Sequence, residues 1–243
     1  MGISVSESLI NAARELSHDV DSIDFSDPIV HVYNPLDYAW KSHKQYLKKW
    51  ANSSKIILFM GMNPGPFGMA QTGIPFGEVN HVRDWLGIHE SVGKPKNEHP
   101  KRLIEGFDCK RSEVSGKRLW GFFKKQFGRP EYFFKSHFVL NYCPLVFIEA
   151  SGKNFTPDKL PNSESKSLFS ACDKHLRLIA EILEIKYLVA VGAFAETRAK
   201  KALGENSSIR VFRILHPSPA SPLANKGWCD KALEQLNRNN IFL

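Results

Sequence analysis

Ile56-Ile57-Leu58-Phe59-Met60-Gly61-Met62-Asn63-Pro64-Gly65-Pro66-Phe67-Gly68 passes from an unbroken apolar run directly into glycine and proline. Five consecutive apolar residues bounded by turn formers read as a strand buried on both faces, the kind found in parallel sheets. The loop that follows, residues 61–77, holds five glycines and three prolines. Glycine lets backbone approach a ligand closely, and proline stiffens the path. Asn63 stands at the strand tip, where open α/β folds place their ligand sites. Taken alone, such a cluster fits a structural turn equally well.

The pattern repeats further along the chain. Strands are expected at Lys55–Met60, Tyr132–Leu140, Lys186–Val191 and Ile209–Leu215. Helices are expected at residues 3–17, 37–51, 115–127 and 163–184, from about Ala193 to Leu203, and from near Ala224 onward, with a short one closed by Asp84–Ile88. In the longest, Leu168, Ala171, Leu176, Ile179, Ile182 and Leu183 recur at helical spacing. Residues 89–114 are polar and basic and read as irregular surface. Strands alternating with helices imply a mainly parallel sheet covered on both faces. Two further motifs begin where predicted strands end: Asn141-Tyr142-Cys143-Pro144-Leu145, and His216-Pro217-Ser218-Pro219-Ala220-Ser221-Pro222-Leu223-Ala224-Asn225-Lys226-Gly227-Trp228. Asn63, Asn141 and His216 should therefore gather along one sheet edge.

These three ordered motifs resemble the single-strand-selective monofunctional uracil-DNA glycosylase family, within the uracil-DNA glycosylase superfamily. The resemblance runs from about Asp37 to the C-terminus. It implies a three-layer α/β/α sandwich around a central four-stranded, mainly parallel sheet. Residues 1–243 are expected to form a single such domain, with 1–36 a helical extension packed on it. The implied activity is hydrolysis of the N-glycosidic bond of uracil and oxidised uracils such as 5-hydroxymethyluracil in DNA, leaving an abasic site.

That reaction sets three tasks: hold the extruded base, stabilise the departing anion, and place a water under C1′. An amide such as Asn141 offers an acceptor for uracil N3–H and a donor for O4, and cytosine presents the reverse pattern. The resemblance places the stacking aromatic at Phe76. A neutral imidazole at His216 can donate to O2 as charge develops there. Asn63 can orient water, but an amide takes no proton at neutral pH, so a dissociative, largely electrostatic mechanism is expected. Catalysis thus falls to Asn63 and His216. Substrate binding falls to Gly61, Met62, Gly65, Met69, Phe76 and Asn141, with Gly65, Pro66 and Met69 implied by the resemblance to flank uracil C5 and to accept hydroxymethyl but not methyl there. DNA contacts are expected from Pro217, Ser218, Pro219, Ala220, Ser221 and Lys226. No lysine lies in the motifs as a Schiff-base nucleophile, apart from Lys226 at the outer end of the third, so strand cleavage is not expected.

One position departs from the family. Its closest members carry an arginine four residues after the histidine, used as a wedge into the duplex; this chain has Ala220. The departure points to a divergent, bacterial branch and to weakened action on duplex DNA.

Composition agrees with a nucleic-acid enzyme. The chain has 243 residues, a net charge of +8 and a pI near 9.3, which favours a polyanionic partner. Between Lys94 and Lys135 twelve Lys or Arg stand against five Asp or Glu. Cys109, Cys143, Cys172 and Cys229 are scattered without paired spacing, which argues against zinc or an iron–sulfur cluster. No cofactor and no metal are expected. No apolar run is long enough to span a membrane, and the N-terminus lacks a secretory pattern. The expected partner is DNA, single-stranded or duplex with a damaged base, bound by a monomer with no membrane contact. The expected location is the cytoplasm or nucleoid of a bacterium, or the nucleus of a eukaryote. Two other readings remain at this point: the same fold acting on deaminated purines such as hypoxanthine, and a non-catalytic single-strand DNA binding module.

Overall fold

The computed structural model describes residues 2–241. Its helices are α1 Val5–Asp21, α2 Pro35–Tyr38, α3 Trp40–Trp50, α4 Met69–Thr72, α5 Val79–Asp84, α6 Val114–Phe127, α7 Pro130–Phe134, α8 Asn162–Leu183, α9 Ala193–Leu203, α10 Pro222–Asn225 and α11 Trp228–Arg238. Its strands are β1 Ile29–Tyr33, β2 Ile57–Gly61, β3 His137–Asn141, β4 Val146–Glu149, β5 Asn154–Phe155, β6 Tyr187–Val191 and β7 Arg210–Ile214.

Four strands make the central sheet in the order β3-β2-β6-β7, all parallel. Every residue of β2, an interior strand, and of β3, at the sheet edge, is buried, as a parallel sheet covered by helices on both faces requires. α9 packs on β6 and β7, α7 on β3, and α11 on β7 and α6, while α1 lies along α8 and α3. The fold is the expected α/β sandwich with a four-stranded parallel sheet. Parallel pairing sends all four C-terminal ends to one edge. The register sets Gly61 beside Asn141, and Val191 beside Ile214.

Several elements differ from expectation. The predicted strand Tyr132–Leu140 begins in a helix: Pro130 opens α7, which runs to Phe134, and the strand starts only at His137. Proline at a first helical position has its φ already set and no N–H to lose, which overrides the strand preference of Tyr132, Phe133 and Phe134. The short helix after the glycine loop closes at Asp84, not Ile88. The last helix is divided into α10 and α11 around Gly227, whose backbone is left-handed.

A second sheet was not expected at all. β1, β4 and β5 pair antiparallel in that order, so the segment before Asp37 carries a strand as well as a helix. The stretch 89–114 is largely irregular, yet it is fastened to this sheet. Tyr33 donates to Arg102 O at 3.0 Å and accepts from His99 N at 2.6 Å, and His99 and Ile104 are buried.

Candidate active site

The C-terminal strand edge holds a cavity of about 540 Å³, lined along its base and walls by Met62, Asn63, Gly65, Met69, Phe76, Asn141 and His216. Pro64 and Pro66 line it from the loop after β2, and Ser218, Pro219, Ala220 and Ser221 from the segment after β7. Four further lining residues were not read from the sequence: Glu113, Ser115, Asn154 and Thr156. Three expected residues stand apart. Gly61 lies beneath the floor, Pro217 is buried behind the wall, and Lys226 is exposed beyond α10; none of them lines the cavity.

The floor depends on a missing side chain. A Cβ on Gly61 would stand 2.5 Å from the Phe76 ring and 2.6 Å from Asn141 Oδ1. Glycine thus lets the aromatic and the amide close over the end of β2. Phe76 takes a left-handed backbone, φ 53°, which a bulky residue holds only where its surroundings impose it. They do so here: Trp120 Nε1 donates to Pro75 O at 3.2 Å, and Glu78 N to Phe76 O at 2.7 Å. Gly116 has no Cβ to strike that same carbonyl.

Asn141 is 6 % exposed. Its Nδ2 donates to Met69 Sδ at 3.3 Å, and its Oδ1 is buried with no hydrogen-bond partner. A buried, unpaired amide oxygen is a costly arrangement in a native core. Asn63 is oriented by donation from Nδ2 to Leu145 O at 3.1 Å, which leaves its Oδ1 for the cavity.

His216 follows β7 by two residues. Its Nδ1 lies 3.1 Å from Ser218 N. A backbone N–H can only donate, so Nδ1 is the acceptor and the ring proton sits on Nε2. Burial lowers the His216 pKa to about 4, so the ring is neutral at physiological pH. Its preceding turn is pinned by Trp228 Nε1 donating to Leu215 O at 2.6 Å and by Leu215 N donating to Gln235 Oε1 at 2.7 Å. Gly192 packs against the ring, and its missing Cβ would lie 3.2 Å from His216 Cβ.

Glu113 is the least anticipated member. It caps α6 by accepting from Ser115 N at 3.3 Å. Its carboxyl lies against Gly65, where a Cβ would collide with Oε2. Burial raises its pKa above the usual carboxylate value. In the sequence an acid before an apolar helix reads only as a cap, and nothing announces the cavity. Asn154 and Thr156 arrive with β5, which was itself unexpected.

The rim is basic. Arg118 donates to Pro217 O at 2.9 Å, Ser218 O at 3.4 Å and Asn225 Oδ1 at 2.8 Å. Arg111 and Arg102 flank the Phe67 ring at 3.9 and 5.5 Å. Among the described residues no group of three or more His, Cys, Asp or Glu is placed to hold a metal ion, and no helix is long and apolar enough to cross a membrane.

The family model described as the uracil DNA glycosylase superfamily matches residues 49–237. The single-strand selective monofunctional uracil-DNA glycosylase of Rattus norvegicus is 48% identical over 240 residues, covering 98% of this chain and 86% of the rat protein. The Mus musculus counterpart is 47% identical over 98% of this chain and 86% of its own length, and the Bos taurus one 46% over 98% and 88%. Among solved structures, the crystal structure of wild-type Pedobacter heparinus SMUG2 aligns with a TM-score of 0.65 at 20% identity, over 94% of this chain and 98% of that one, a likeness of fold. The three relatives named above are mammalian, and they lend the expected bacterial source no support.

Proposed function

The chain belongs to the uracil DNA glycosylase superfamily, and from that premise we propose how its cavity carries out the reaction. It is a monofunctional uracil-DNA glycosylase: it hydrolyses the bond between uracil N1 and deoxyribose C1′ in DNA and leaves an abasic site, the opening step of base excision repair. The observation that carries the residue assignment is the buried, unpartnered Oδ1 of Asn141, a residue that lines the cavity. An extruded uracil supplies its missing partner, N3–H, while the second hydrogen on Nδ2 is free for O4. Phe76, held across Gly61, gives the base a face to stack on.

As the N1–C1′ bond breaks, its electron pair moves into the base and charge collects on O2. Neutral His216 donates Nε2–H there. A donor fixed in place before the charge develops needs no reorganisation, which is where such groups gain their effect. Asn63 Oδ1 accepts from the water that adds its oxygen to C1′. The water's proton leaves to solvent, and the base anion is protonated after departure. An amide cannot act as base, so the sugar cation must be well formed before water adds.

The family-implied extension to oxidised uracils rests on the resemblance, whose C5-flanking residues Gly65, Pro66 and Met69 all line the cavity. We further take the enzyme to act as a monomer without a metal or a membrane surface, in the compartment that holds DNA. Chelator should leave its rate unchanged, and light scattering should return the 27.6 kDa mass of one chain.

The deciding assay incubates single- and double-stranded oligonucleotides carrying uracil, 5-hydroxymethyluracil, hypoxanthine or thymine, then cleaves abasic sites with alkali. Release of uracil and 5-hydroxymethyluracil but not thymine is expected; preferential release of hypoxanthine would transfer the site to deaminated purines. Asn141→Asp tests the reading residue, since a carboxylate repels O4. Full uracil activity of that variant at pH 7.5 would remove Asn141 from base recognition.

A further inference from the structure

We propose that Arg198 and Asp173 are positioning residues that hold the base-reading amide of Asn141 in place through the hydroxyl of its neighbour, Tyr142. The inference rests on the base orientation argued above and names what keeps the reading residue aimed. Asn141 ends β3, an edge strand paired on one side only, with β2. Two backbone bonds continue past the strand end: Tyr142 N donates to Gly61 O at 3.0 Å, and Cys143 N to Met62 O at 2.8 Å. Successive side chains of an extended chain point to opposite faces. Asn141 takes the face of Met69. Tyr142 takes the other, where the rings of Phe169 and Phe194 stand 6.0 and 5.9 Å from its own. Fixing one side chain therefore fixes the roll of the backbone that aims the other.

Tyr142 is 1% exposed, and a phenylalanine would fill the same space. Its hydroxyl does something more. It donates to Asp173 Oδ1 at 2.6 Å and accepts from Arg198 Nε at 3.0 Å. Arg198 Nη2 closes the ring of bonds by donating to Asp173 Oδ2, and its guanidinium lies 4.4 Å from the centre of the Phe169 ring. Asp173 belongs to α8 and Arg198 to α9. A hydroxyl engaged by a carboxylate on one side and a guanidinium on the other has one orientation, and such charge-assisted bonds are the stronger kind. A largely buried ion pair adds little net stability, so its gain here is direction. α9 also begins beside Gly192, which packs against the His216 ring. One helix thus backs the imidazole that addresses O2 and anchors the segment that reads N3 and O4, which holds the two at a fixed spacing around one base.

Reading is measured apart from catalysis with single strands that carry 2′-fluoro-2′-deoxyuridine or 2′-fluoro-2′-deoxycytidine. The fluorine disfavours the sugar cation, so the glycosidic bond survives while the protein binds. The quantity is the ratio of the two dissociation constants, cytidine strand over uridine strand, in which any general loss of affinity cancels. Wild type should prefer uridine, and Asn141→Ala should lose that preference. Tyr142→Phe keeps the ring and deletes the tether; its ratio should fall by about three- to tenfold, and its single-turnover rate on uracil by about tenfold. Arg198→Met keeps the hydroxyl but removes its donor, and should lower the ratio by roughly two- to fivefold. In an Asn141→Ala background Tyr142→Phe should leave the ratio where it is, because no amide remains to be aimed. A Tyr142 that only packs would lower the melting temperature in both backgrounds while the Tyr142→Phe ratio stays at the wild-type value, and that result overturns the assignment while the uracil reading stands. Tyr142→Phe decides the matter alone if Arg198→Met fails to fold. A wild type with no preference between the two strands would overturn the base orientation and the positioning role with it.

Discussion

Two segments rich in glycine and proline meet at the cavity, and they are built differently. In the loop after β2, residues 61–77, no residue is exposed. In the segment after β7, Pro219, Ala220, Pro222, Leu223, Asn225, Lys226 and Gly227 are all exposed. The first is fixed by packing in which three missing side chains are essential, at Gly61, Gly65 and Gly68. The second is fixed at its start by Trp228 and along its length by one arginine, Arg118, and it ends in solvent. A wall that reads a base must be rigid, since a misplacement of about 1 Å can cost about a hundredfold in rate. A rim that meets DNA need only be positioned, and it tolerates change. Ala220 lies on the rim.

The largest expected effect lies where the two meet. His216→Ala should lower the single-turnover rate by about 10²–10³-fold with DNA affinity held within a few-fold. The pH profile sharpens this. Burial disfavours the charged imidazole, so the ring stays neutral as pH falls past the ordinary histidine value and charges only near its lowered pKa of about 4. The wild-type rate should therefore be flat from pH 8 to 5. Protonation of Nδ1 below that removes the acceptor of Ser218 N–H. A rate that instead declines through pH 6.5 would mean that His216 behaves as a rim residue.

Next comes the rigidity of the wall. Gly61→Ala puts a methyl group 2.5 Å from the Phe76 ring and 2.6 Å from Asn141 Oδ1, so stacking face and reading atom both shift. A loss of about a hundredfold on uracil is expected, with circular dichroism still that of a folded α/β protein. Near-normal activity would show the wall to be as adaptable as the rim.

The same contrast explains what could be read from the sequence. β2 and β6 announced themselves as short apolar runs, β7 as a strand-like stretch of β-branched and aromatic residues around two arginines, and α8 by its helical spacing, because burial leaves a trace in the sequence. Asn63, Asn141 and His216 were legible because each stands at or just past the end of a predicted strand. β1 has only two fully buried residues in five, and β5 is two residues long, so neither carries a pattern. Glu113 reaches the cavity only because residues 89–114 wrap back over the second sheet; no local signal encodes that path. The rim's spelling was plain, but its exposure was not, since glycine, proline and serine serve a buried wall and a solvated rim alike.

A smaller effect tests how the rim is held. Arg118→Ala releases the carbonyls of Pro217 and Ser218 and the side chain of Asn225. One charged hydrogen bond is worth about 1.5 kcal/mol at the low end, or about tenfold, and a loss of that size in single-turnover rate is expected. The uracil-to-thymine ratio should not move, because the reading wall is untouched. A change in that ratio would mean that rim and wall are mechanically one unit.

The smallest effect concerns Ala220 itself. Extruding a paired base costs a few kcal/mol, and less when the base is mispaired or unpaired. A side chain that fills the vacated stack offsets part of this, and apolar wedges serve as well as planar cations. Ala220 is exposed but ends at a methyl group. The large apolar side chain nearby is Leu223, 56% exposed at the start of α10. Alanine at 220 should therefore leave the enzyme best on single strands, then on U opposite G, then on U opposite A. Ala220→Arg restores a head that stacks on bases and meets phosphates, and it should help most where extrusion costs most: a gain of roughly three- to tenfold on U:A and almost none on single-stranded uracil. Leu223→Ala supplies the counterpart. If Leu223 already fills the gap, this variant loses several-fold on U:A and Ala220→Arg gains little. If instead Ala220→Arg accelerates single strands as much as duplex, position 220 does not face the stack, and the rim's contribution is attraction to phosphate alone.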